Sequence, residues 1–436
     1  MLRIGVLLAP EAPRPQLVVG GLSLVERQAR MLRRMGCERL FLVGASLSDA
    51  AVQGIETVSF PSLAEALAAG GLVIIPAPGL IIDERAVATL LAGSGAGGGI
   101  LVSDESAVSV ERLDSATLAA GVMALPAAMV ASVARDIGDW DFHSTLIRLA
   151  AADPTVARIP VAATPLYAPE RRRSVPLLWC NPQDAAQAAD ASAQVIAAAQ
   201  KGTLDWPARF IHPLIEDALV RLLAPTRITP NQVTLFTAFI AVAAGYALAT
   251  GALWWGLGLA LLCGPLDGVD GKLARVRIEY SRWGDLEHVL DKILEYGWYL
   301  CAAWWFSRTL GSALPWALAA LIILPALAEA AQGEFYRRLT GVQLDDAGPF
   351  ERGFRLVAGR RNTFLWTWLA MALVGLWFEG FALLAAYSVL TTAVAQWRFY
   401  VRLSAFARAG DARVAANYAA TSYDFLAKPS LPTDKP

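Results

Sequence analysis

The sequence predicts two structural parts, an α/β N-terminal domain with a mostly parallel sheet and an all-α domain of six transmembrane helices. In the first part, short apolar runs alternate with helical patterns, as in βαβ units. In the second, six apolar segments follow one another, each near the roughly 20 residues that cross a hydrocarbon core. Hydrophobic residues make up 56% of the 436 residues and charged residues 17%, a balance typical of membrane proteins.

The order of these patterns predicts four regions along the chain. We expect an α/β domain over residues 1–203, an amphipathic helix in the membrane interface over 204–228, the helical membrane domain over 229–405 and a cytoplasmic tail over 406–436. The N-terminal MLRIGVLLAPEAP is too short and too weakly charged for a signal peptide, so we predict a first β-strand there. A helix is expected over 22–35, and RLFLVG, GLVIIPA and GILVS supply further strands.

The sequence also predicts how the helical part lies in the membrane. The interfacial helix before them would place Trp206, Phe210 and Leu214 on its apolar face. Arginines cluster in the loops on one side of the predicted membrane and are nearly missing on the other, so the basic side is predicted to be cytoplasmic. The predicted segments are 232–250, 252–275, 285–307, 313–336, 362–378 and 381–401.

Carboxylates interrupt the most apolar half of the sequence. Asp267 and Asp270 end the second segment, and Glu287 and Asp291 begin the third. An ionised side chain at the centre of a membrane helix costs roughly 2.5–3.5 kcal/mol, so such a cluster needs a compensating partner. A divalent cation with oxygen ligands is the simplest one. At helical spacing, one face of the second segment carries Asp267, Asp270, Gly271, Ala274 and Arg275.

These residues resemble a known signature. The pattern Asp267-x2-Asp270-Gly271-x2-Ala274-Arg275-x8-Gly284 is similar to that of the CDP-alcohol phosphotransferases, and RITPNQVTL is similar to the start of their first membrane helix. The resemblance covers roughly the second half of the chain. One residue fewer than usual follows Gly284, so the last two acids of the signature align with Glu287 and Asp291 only across a gap.

The resemblance implies a metal-dependent transfer. Asp267, Asp270, Glu287 and Asp291 would hold one or two Mg²⁺ or Mn²⁺ ions, and Asp291 would also act as general base. The nucleotide would lie against Asp267, Gly271, Ala274 and Arg275. Alternatively, these acids bind no metal and are solvated residues at helix ends. This interpretation applies better to Glu287 than to Asp267 and Asp270.

The N-terminal domain resembles sugar-nucleotidyltransferases, with two departures. Their first strand leads into a glycine-rich loop with Arg and Pro-Lys, whereas APEAPRPQLVV has neither glycine nor lysine. Prolines also remove backbone N–H donors that a phosphate cradle needs. Pro78 stands where that family has a metal-binding Asp. We therefore predict an inactive domain, with a changed but working site around Arg14 as the alternative.

The identities of the substrates stay open at this level. The donor would be either CDP-diacylglycerol or a soluble CDP-alcohol such as CDP-inositol. The second is suggested by the layout of the chain, which resembles bifunctional inositol-phosphate cytidylyltransferase/di-inositol-phosphate-phosphate synthases. Arg337, Arg338, Arg360 and Arg361 suit a phosphorylated acceptor, unless they are ordinary cytoplasmic charge. We expect a homodimer in the cytoplasmic (inner) membrane and no nucleic-acid partner. A catalytically inactive, nucleotide-binding membrane anchor is the alternative function.

Overall fold

The chain forms two compact units in the computed structural model. The structure describes residues 2–10, 14–44, 54–104, 111–280, 284–409 and 414, without the side chains of residues 15 and 284–288. The first unit comprises Met1–Gln200, Arg221–Thr226 and Arg275–Glu279. The second comprises Lys201–Val220, Arg227–Ala274 and Tyr280–Pro436.

The first unit contains the predicted mostly parallel sheet. Seven strands lie in the order β10-β8-β9-β6-β1-β4-β5, and β9 alone among them runs antiparallel to its neighbours β6 and β8. Shorter pairs join β2 to β3, β7 to β13 and β11 to β12. The strands are β1 Arg3–Leu8, β2 Val18–Val19, β3 Leu22–Ser23, β4 Arg39–Val43, β5 Glu56–Val58, β6 Leu72–Pro76, β7 Ile81–Ile82, β8 Gly99–Ser103, β9 Leu118–Pro126, β10 Ala157–Pro160, β11 Tyr167–Ala168, β12 Arg173–Ser174 and β13 Trp179–Cys180.

Both faces of this sheet are buried. Val6 packs into the core cluster on one face and Leu7 into the cluster on the other, as successive side chains of a strand must. This explains the nearly continuous apolar sequence of β1, because a parallel strand covered on both sides has no solvent face. The covering helices are α1 Leu24–Arg34, α2 Phe60–Ala66, α3 Glu84–Gly93, α4 Ala127–Asp136 and α5 Phe142–Ala152, whereas α6 Ala185–Ala198 contacts the short strand β2.

Helix α3 shows how charged groups are accommodated in this unit. Asp83 caps the helix by accepting a hydrogen bond from the backbone N–H of Arg85, whose guanidinium also donates to both carboxylate oxygens. Burial acts to raise the pKa of Asp83, but the hydrogen bonds from Arg85 outweigh it and the pKa lies below its ordinary value. This buried acid is therefore fully paired by its own helix and stabilises the fold.

The second unit is helical, and its helices follow the predicted apolar segments. They are α7 Trp206–Phe210, α8 His212–Leu223, α9 Pro230–Ala249, α10 Leu253–Arg277, α11 Gly284–Leu310, α12 Leu314–Thr340, α13 Pro349–Phe354, α14 Arg361–Leu373 and α15 Trp377–Ala409. Among the described residues, α9, α12 and α15 are long and apolar enough to cross a membrane. Helix α14 has 13 residues, and α10 carries two aspartates that lower its hydropathy.

The predicted interfacial helix is two helices. The chain breaks at Ile211 because Pro213 has no N–H to continue the ladder from α7 and instead starts α8. Phe210, Leu214 and Leu222 are exposed, as expected of side chains that face lipid. On the other side of α8, His212 and Glu216 are buried, so this helix presents its polar residues to the protein.

Candidate active site

Hydrogen bonds from two neighbouring groups hold the side chain of Asp270, on α10, in place. Its side chain is buried and accepts hydrogen bonds from the hydroxyl of Thr234, at 2.7 Å, and from the backbone N–H of Gly271. Thr234 lies in the second turn of α9. A capping box between Thr229 and Gln232 fixes the start of that helix, with Pro230 in its first turn. The segment RITPNQVTL thus positions a hydroxyl group on an acid of the next helix.

Asp267 lies at the meeting point of three helices. One of its oxygens, Oδ2, is 2.6 Å from Nη2 of Arg361 at the start of α14. The carboxyl group of Asp291, on α11, lies next to that of Asp267 and within electrostatic range of Asp270. Acids 24 residues apart in the sequence therefore face each other. Two facing carboxyl groups are stable only with a proton or a cation held between them.

The donor set of this cluster suits a hard divalent cation. All the ligating atoms would be carboxylate oxygens, which Mg²⁺ and Mn²⁺ prefer. Within the described part of the chain, however, no three His, Cys, Asp or Glu side chains stand close enough to enclose an ion. Glu287, the fourth predicted ligand, falls among the residues whose side chains the structure does not describe. The described carboxylates are thus of the type that binds such an ion, and one oxygen of Asp267 is hydrogen-bonded to Arg361.

The predicted nucleotide-binding residues are only partly brought together. Gly271 and Ala274 follow Asp270 on α10, whereas Arg275 donates from Nε to the carbonyl oxygen of Ala199, at 2.7 Å.

A cavity of about 340 Å³ opens among α11, α12, α13 and α15. The hydroxyl of Tyr296 and Nε of Arg360 are buried in its wall and have no hydrogen-bond partner among the described residues. Buried polar groups are normally paired, so these two atoms indicate a place for a polar ligand. Lys292 and Arg360 line the cavity and are the chain neighbours of Asp291 and Arg361.

Acids and cations balance in the cavity wall. Most of the cations are paired there, Lys292 with Glu295 at 2.7 Å, Arg337 with Glu334 at 2.9 Å and Arg398 with Glu351 at 2.6 Å. Arg355 is paired with Asp345 at 3.3 Å. The ionisable residues of the wall are Lys292, Glu295, Glu329, Glu334, Arg337, Asp345, Glu351, Arg355, Arg360 and Arg398.

The four arginines predicted to bind the acceptor therefore take different positions. Arg337 and Arg338 both bind Glu334, Arg361 binds Asp267, and Arg360 directs a buried nitrogen with no partner among the described residues into the cavity wall. Their clustering in the sequence did not reveal this division, because each partner comes from a contact that charge patterning does not specify.

Several polar side chains of the site were not predicted, namely Thr234, Glu295, Tyr296, Tyr299 and Glu329. Glu295 and Glu329 lie inside helices of mostly apolar sequence, and an ionisable residue in such a helix is by default a functional candidate. That signal was present in the sequence. The tyrosines gave no comparable signal, since aromatic residues in membrane helices most often serve packing or interfacial anchoring.

Comparison with known proteins finds matches to the helical region. Residues 227–395 match the family model described as CDP-alcohol phosphatidyltransferase. The phosphatidylinositol phosphate synthase of Corynebacterium glutamicum is 25% identical over 207 residues, which cover 47% of this chain and 88% of that protein.

Two solved structures are also similar to parts of the chain. The phosphatidylinositol phosphate synthase of Mycobacterium tuberculosis with CDP-DAG bound has 19% identity and a TM-score of 0.34, and the similarity covers 44% of this chain and 94% of that one. The inositol-1-phosphate CTP transferase of T. maritima has 15% identity and a TM-score of 0.33, covering 44% of this chain and 96% of that one.

Proposed function

We propose that this integral membrane protein, which carries a CDP-alcohol phosphotransferase domain at residues 227–395, moves a substituted phosphate group from a CDP-alcohol to an acceptor hydroxyl and releases CMP. The observation that carries the proposal is the apposition of Asp267 and Asp291 on two helices, with Asp270 nearby. The cavity beside them provides room for an acceptor. Phospholipid biosynthesis is the corresponding role.

The preferred donor is CDP-diacylglycerol. The lipid environment of the helices supports it, as does the similarity to a phosphatidylinositol phosphate synthase, whose name implies a phosphatidyl donor. CDP-inositol is the second candidate, and it rests on the layout of an α/β domain followed by a transferase domain. We propose that the α/β domain itself is inactive, because prolines replace the backbone donors of a phosphate cradle around Arg14.

The reaction is a displacement at the β-phosphorus. The acceptor oxygen forms a bond to that phosphorus, the bond to the bridging oxygen of CMP breaks, and the hydroxyl proton goes to Asp291. Asp267, Asp270, Glu287 and Asp291 would hold one or two Mg²⁺ or Mn²⁺ ions, which polarise the diphosphate and neutralise the leaving CMP. Thr234 keeps Asp270 oriented through its 2.7 Å hydrogen bond. Gly271, Ala274 and Arg275 would receive the nucleotide.

We place the acceptor in the cavity. Arg360 would bind an anionic group of the acceptor, and the hydroxyl of Tyr296 would bind one of its polar atoms, because these two groups lack partners among the described residues. A phosphorylated polyol such as inositol phosphate fits this set, and the name of the Corynebacterium relative supports that choice. Arg337 and Arg338 would contribute only after exchanging their bonds to Glu334.

The arrangement in the membrane is part of the proposal. We propose six spans on α9, α10, α11, α12, α14 and α15, with the basic loops, the acids and both termini on the cytoplasmic side. The proposed regions remain residues 1–203, 204–228, 229–405 and 406–436. A homodimer is proposed by resemblance to the family.

The test is CMP release by the purified protein in detergent with Mg²⁺ or Mn²⁺. CDP-diacylglycerol and CDP-inositol are offered separately, each with inositol phosphate, glycerol phosphate or inositol. We expect metal-dependent CMP release from CDP-diacylglycerol with a phosphorylated polyol, and its loss in Asp291→Asn. A matched control is Asp190→Asn, which removes an exposed acid of α6, far along the chain from the Asp267–Asp291 cluster.

The second candidate function is an inactive, nucleotide-binding membrane anchor. The one-residue gap before Glu287 favours it, since the third acid of the signature then differs in type and spacing. Saturable binding of both CDP-alcohols without any CMP release, with every acceptor and both metals, would establish the anchor and refute the transferase.

A further inference from the structure

Helix α8 packs on the motif helix α10 through two glycines. A Cβ atom added to Gly264 would lie 2.7 Å from Cε1 of His212, and one added to Gly268 would lie 2.1 Å from Oε1 of Glu216. Gly264 and Gly268 are four residues apart on α10, and His212 and Glu216 are four residues apart on α8. Each pair therefore shares one helix face, and the two faces interlock over a full turn.

A buried cation joins the same two helices one turn further along. Lys272 is 1% exposed and is hydrogen-bonded through Nζ to Oδ1 of Asp217. Its Nζ also lies 3.9 Å from Oε2 of Glu216, which is 5% exposed. A buried lysine requires such partners, because an ammonium group without them would lose its hydration without compensation.

The contact continues at the ends of both helices. Arg277, the last residue of α10, donates from Nη2 to the carbonyl oxygen of Leu223, at 2.6 Å, and from Nε to that of Ala224, at 3.1 Å. Arg277 thus binds the C-terminal end of α8, where the last carbonyl oxygens of a helix have no intrahelical donors. Three kinds of contact thus hold α8 and α10 in one register over about four turns of helix. They are the close approach at the two glycines, the ion pairs of Lys272 and the hydrogen bonds of Arg277.

This register decides where the acids of the motif point. Asp267 and Gly268 are adjacent in the sequence, so the face that seats Glu216 is turned about 100° from the face that carries Asp267. A rotation or slide of α10 against α8 would move Asp267 and Asp270 relative to Asp291, which belongs to another helix. Small displacements of reacting groups cost large factors in rate.

We infer that Glu216, Asp217 and Lys272 are positioning residues of the transferase, through which the amphipathic helix α8 sets the orientation of the acidic face of α10. The inference rests on the proposed function, because it assigns these residues to the metal-binding and transfer step. They act through Asp267 and Asp270, and they touch neither substrate nor ion themselves.

The experiment compares two glycine substitutions on the same helix. Gly268→Ala places a methyl group against Glu216, whereas Gly258→Ala meets no atom within 4 Å. Both changes raise helix propensity equally, so the control removes that effect. We expect Gly268→Ala to lower kcat/KM for CMP release at least tenfold and to raise the Mn²⁺ concentration that gives half-maximal thermal stabilisation. Gly258→Ala should stay within twofold of the unchanged protein in both measurements.

A charge series at Lys272 separates positioning from general stability. Lys272→Arg keeps the cation and should retain the Mn²⁺ response, whereas Lys272→Met should weaken it at least fivefold. A merely structural role would lower the melting temperature without Mn²⁺ and leave the half-saturating Mn²⁺ concentration unchanged, which would overturn the inference. Equal behaviour of Gly268→Ala and Gly258→Ala would overturn it as well. If the unchanged protein neither responds to Mn²⁺ nor releases CMP, the proposed function fails and the inference falls with it.

Discussion

Two acids of the helical unit, Glu351 and Asp291, have opposite surroundings. Glu351 on α13 is 4% exposed and accepts four hydrogen bonds, two from Arg398 and two from Arg402 on α15. Asp291 faces another acid, Asp267, whose Oδ2 accepts a hydrogen bond from Arg361. One carboxylate is saturated by protein cations, while the other faces a second carboxylate.

This difference in partners distinguishes a structural acid from a functional one. Glu351 is the more deeply buried of the two, yet it is the one whose role is structural, because a buried acid with matched cations stabilises the fold. Two acids forced together do not stabilise it, and such an arrangement persists where function requires it. The partners of an acid, and not its depth, therefore indicate its role, as Asp83 and Arg85 also show in the α/β unit.

The largest expected effect is at the facing acids. Asp291→Asn should lower CMP release by at least about 10³-fold, since it removes the proposed base and a proposed metal ligand. The melting temperature without metal should stay the same or rise, because the change removes one charge from a pair of facing acids. Thermal unfolding in detergent with a chelator measures this. A clear loss of stability would place Asp291 with Glu351 among the structural acids.

The opposite outcome is expected at the saturated acid. Glu351→Gln leaves Arg398 and Arg402 without their shared carboxylate, and removing one partner from a buried ion pair costs about 3–5 kcal/mol. The free energy of unfolding should fall by this order, and the metal dependence of the remaining activity should not change. A stable variant with an altered Mn²⁺ requirement would contradict the structural assignment.

A smaller effect is expected at the cavity. Arg360→Gln removes the cation whose Nε is buried without a partner among the described residues, so KM for a phosphorylated acceptor should rise about 10- to 100-fold, as for the loss of a charge-assisted hydrogen bond. The KM of the CDP-alcohol should change less than twofold. Arg338→Gln is the matched control, since Arg338 is bound to Glu334. Equal effects of the two variants would remove Arg360 from the acceptor site.

The smallest effect concerns pH. Burial acts to raise the pKa of Glu351, but hydrogen bonds from Arg402 and Arg398 outweigh it and lower the pKa from 4.5 to about 2. Because the folded pKa is the lower one, the carboxylate stabilises the fold fully above about pH 4.5, and its contribution of up to about 3 kcal/mol is lost as the pH falls toward 2. The stability difference between the unchanged protein and Glu351→Gln should stay constant from pH 7 to 5 and shrink below 4.5.

The sequence predicted the elements of both units well for a local reason. Strand β1 and helix α1 follow from apolar runs and helical spacing, and the six apolar segments coincide with α9, α10, α11, α12, α14 and α15. Among the described residues, α9, α12 and α15 are the helices long and apolar enough to be spans, whereas two aspartates lower the hydropathy of α10 and α14 has 13 residues. The interfacial stretch is two helices, since Pro213 interrupts a continuous apolar pattern.

The sequence by itself determined which acids share a face of α10 and that α11 carries Asp291, since these depend on spacing within one helix. Only the tertiary structure decided their partners. Arg361 reaches Asp267 across 94 residues, and Glu351 meets Arg398 across 47. Pairings of this kind arise from helix packing, in which Gly268 admits Glu216 by having no side chain. Local sequence fixes the side chains a helix presents, and the packing of helices fixes what those side chains meet.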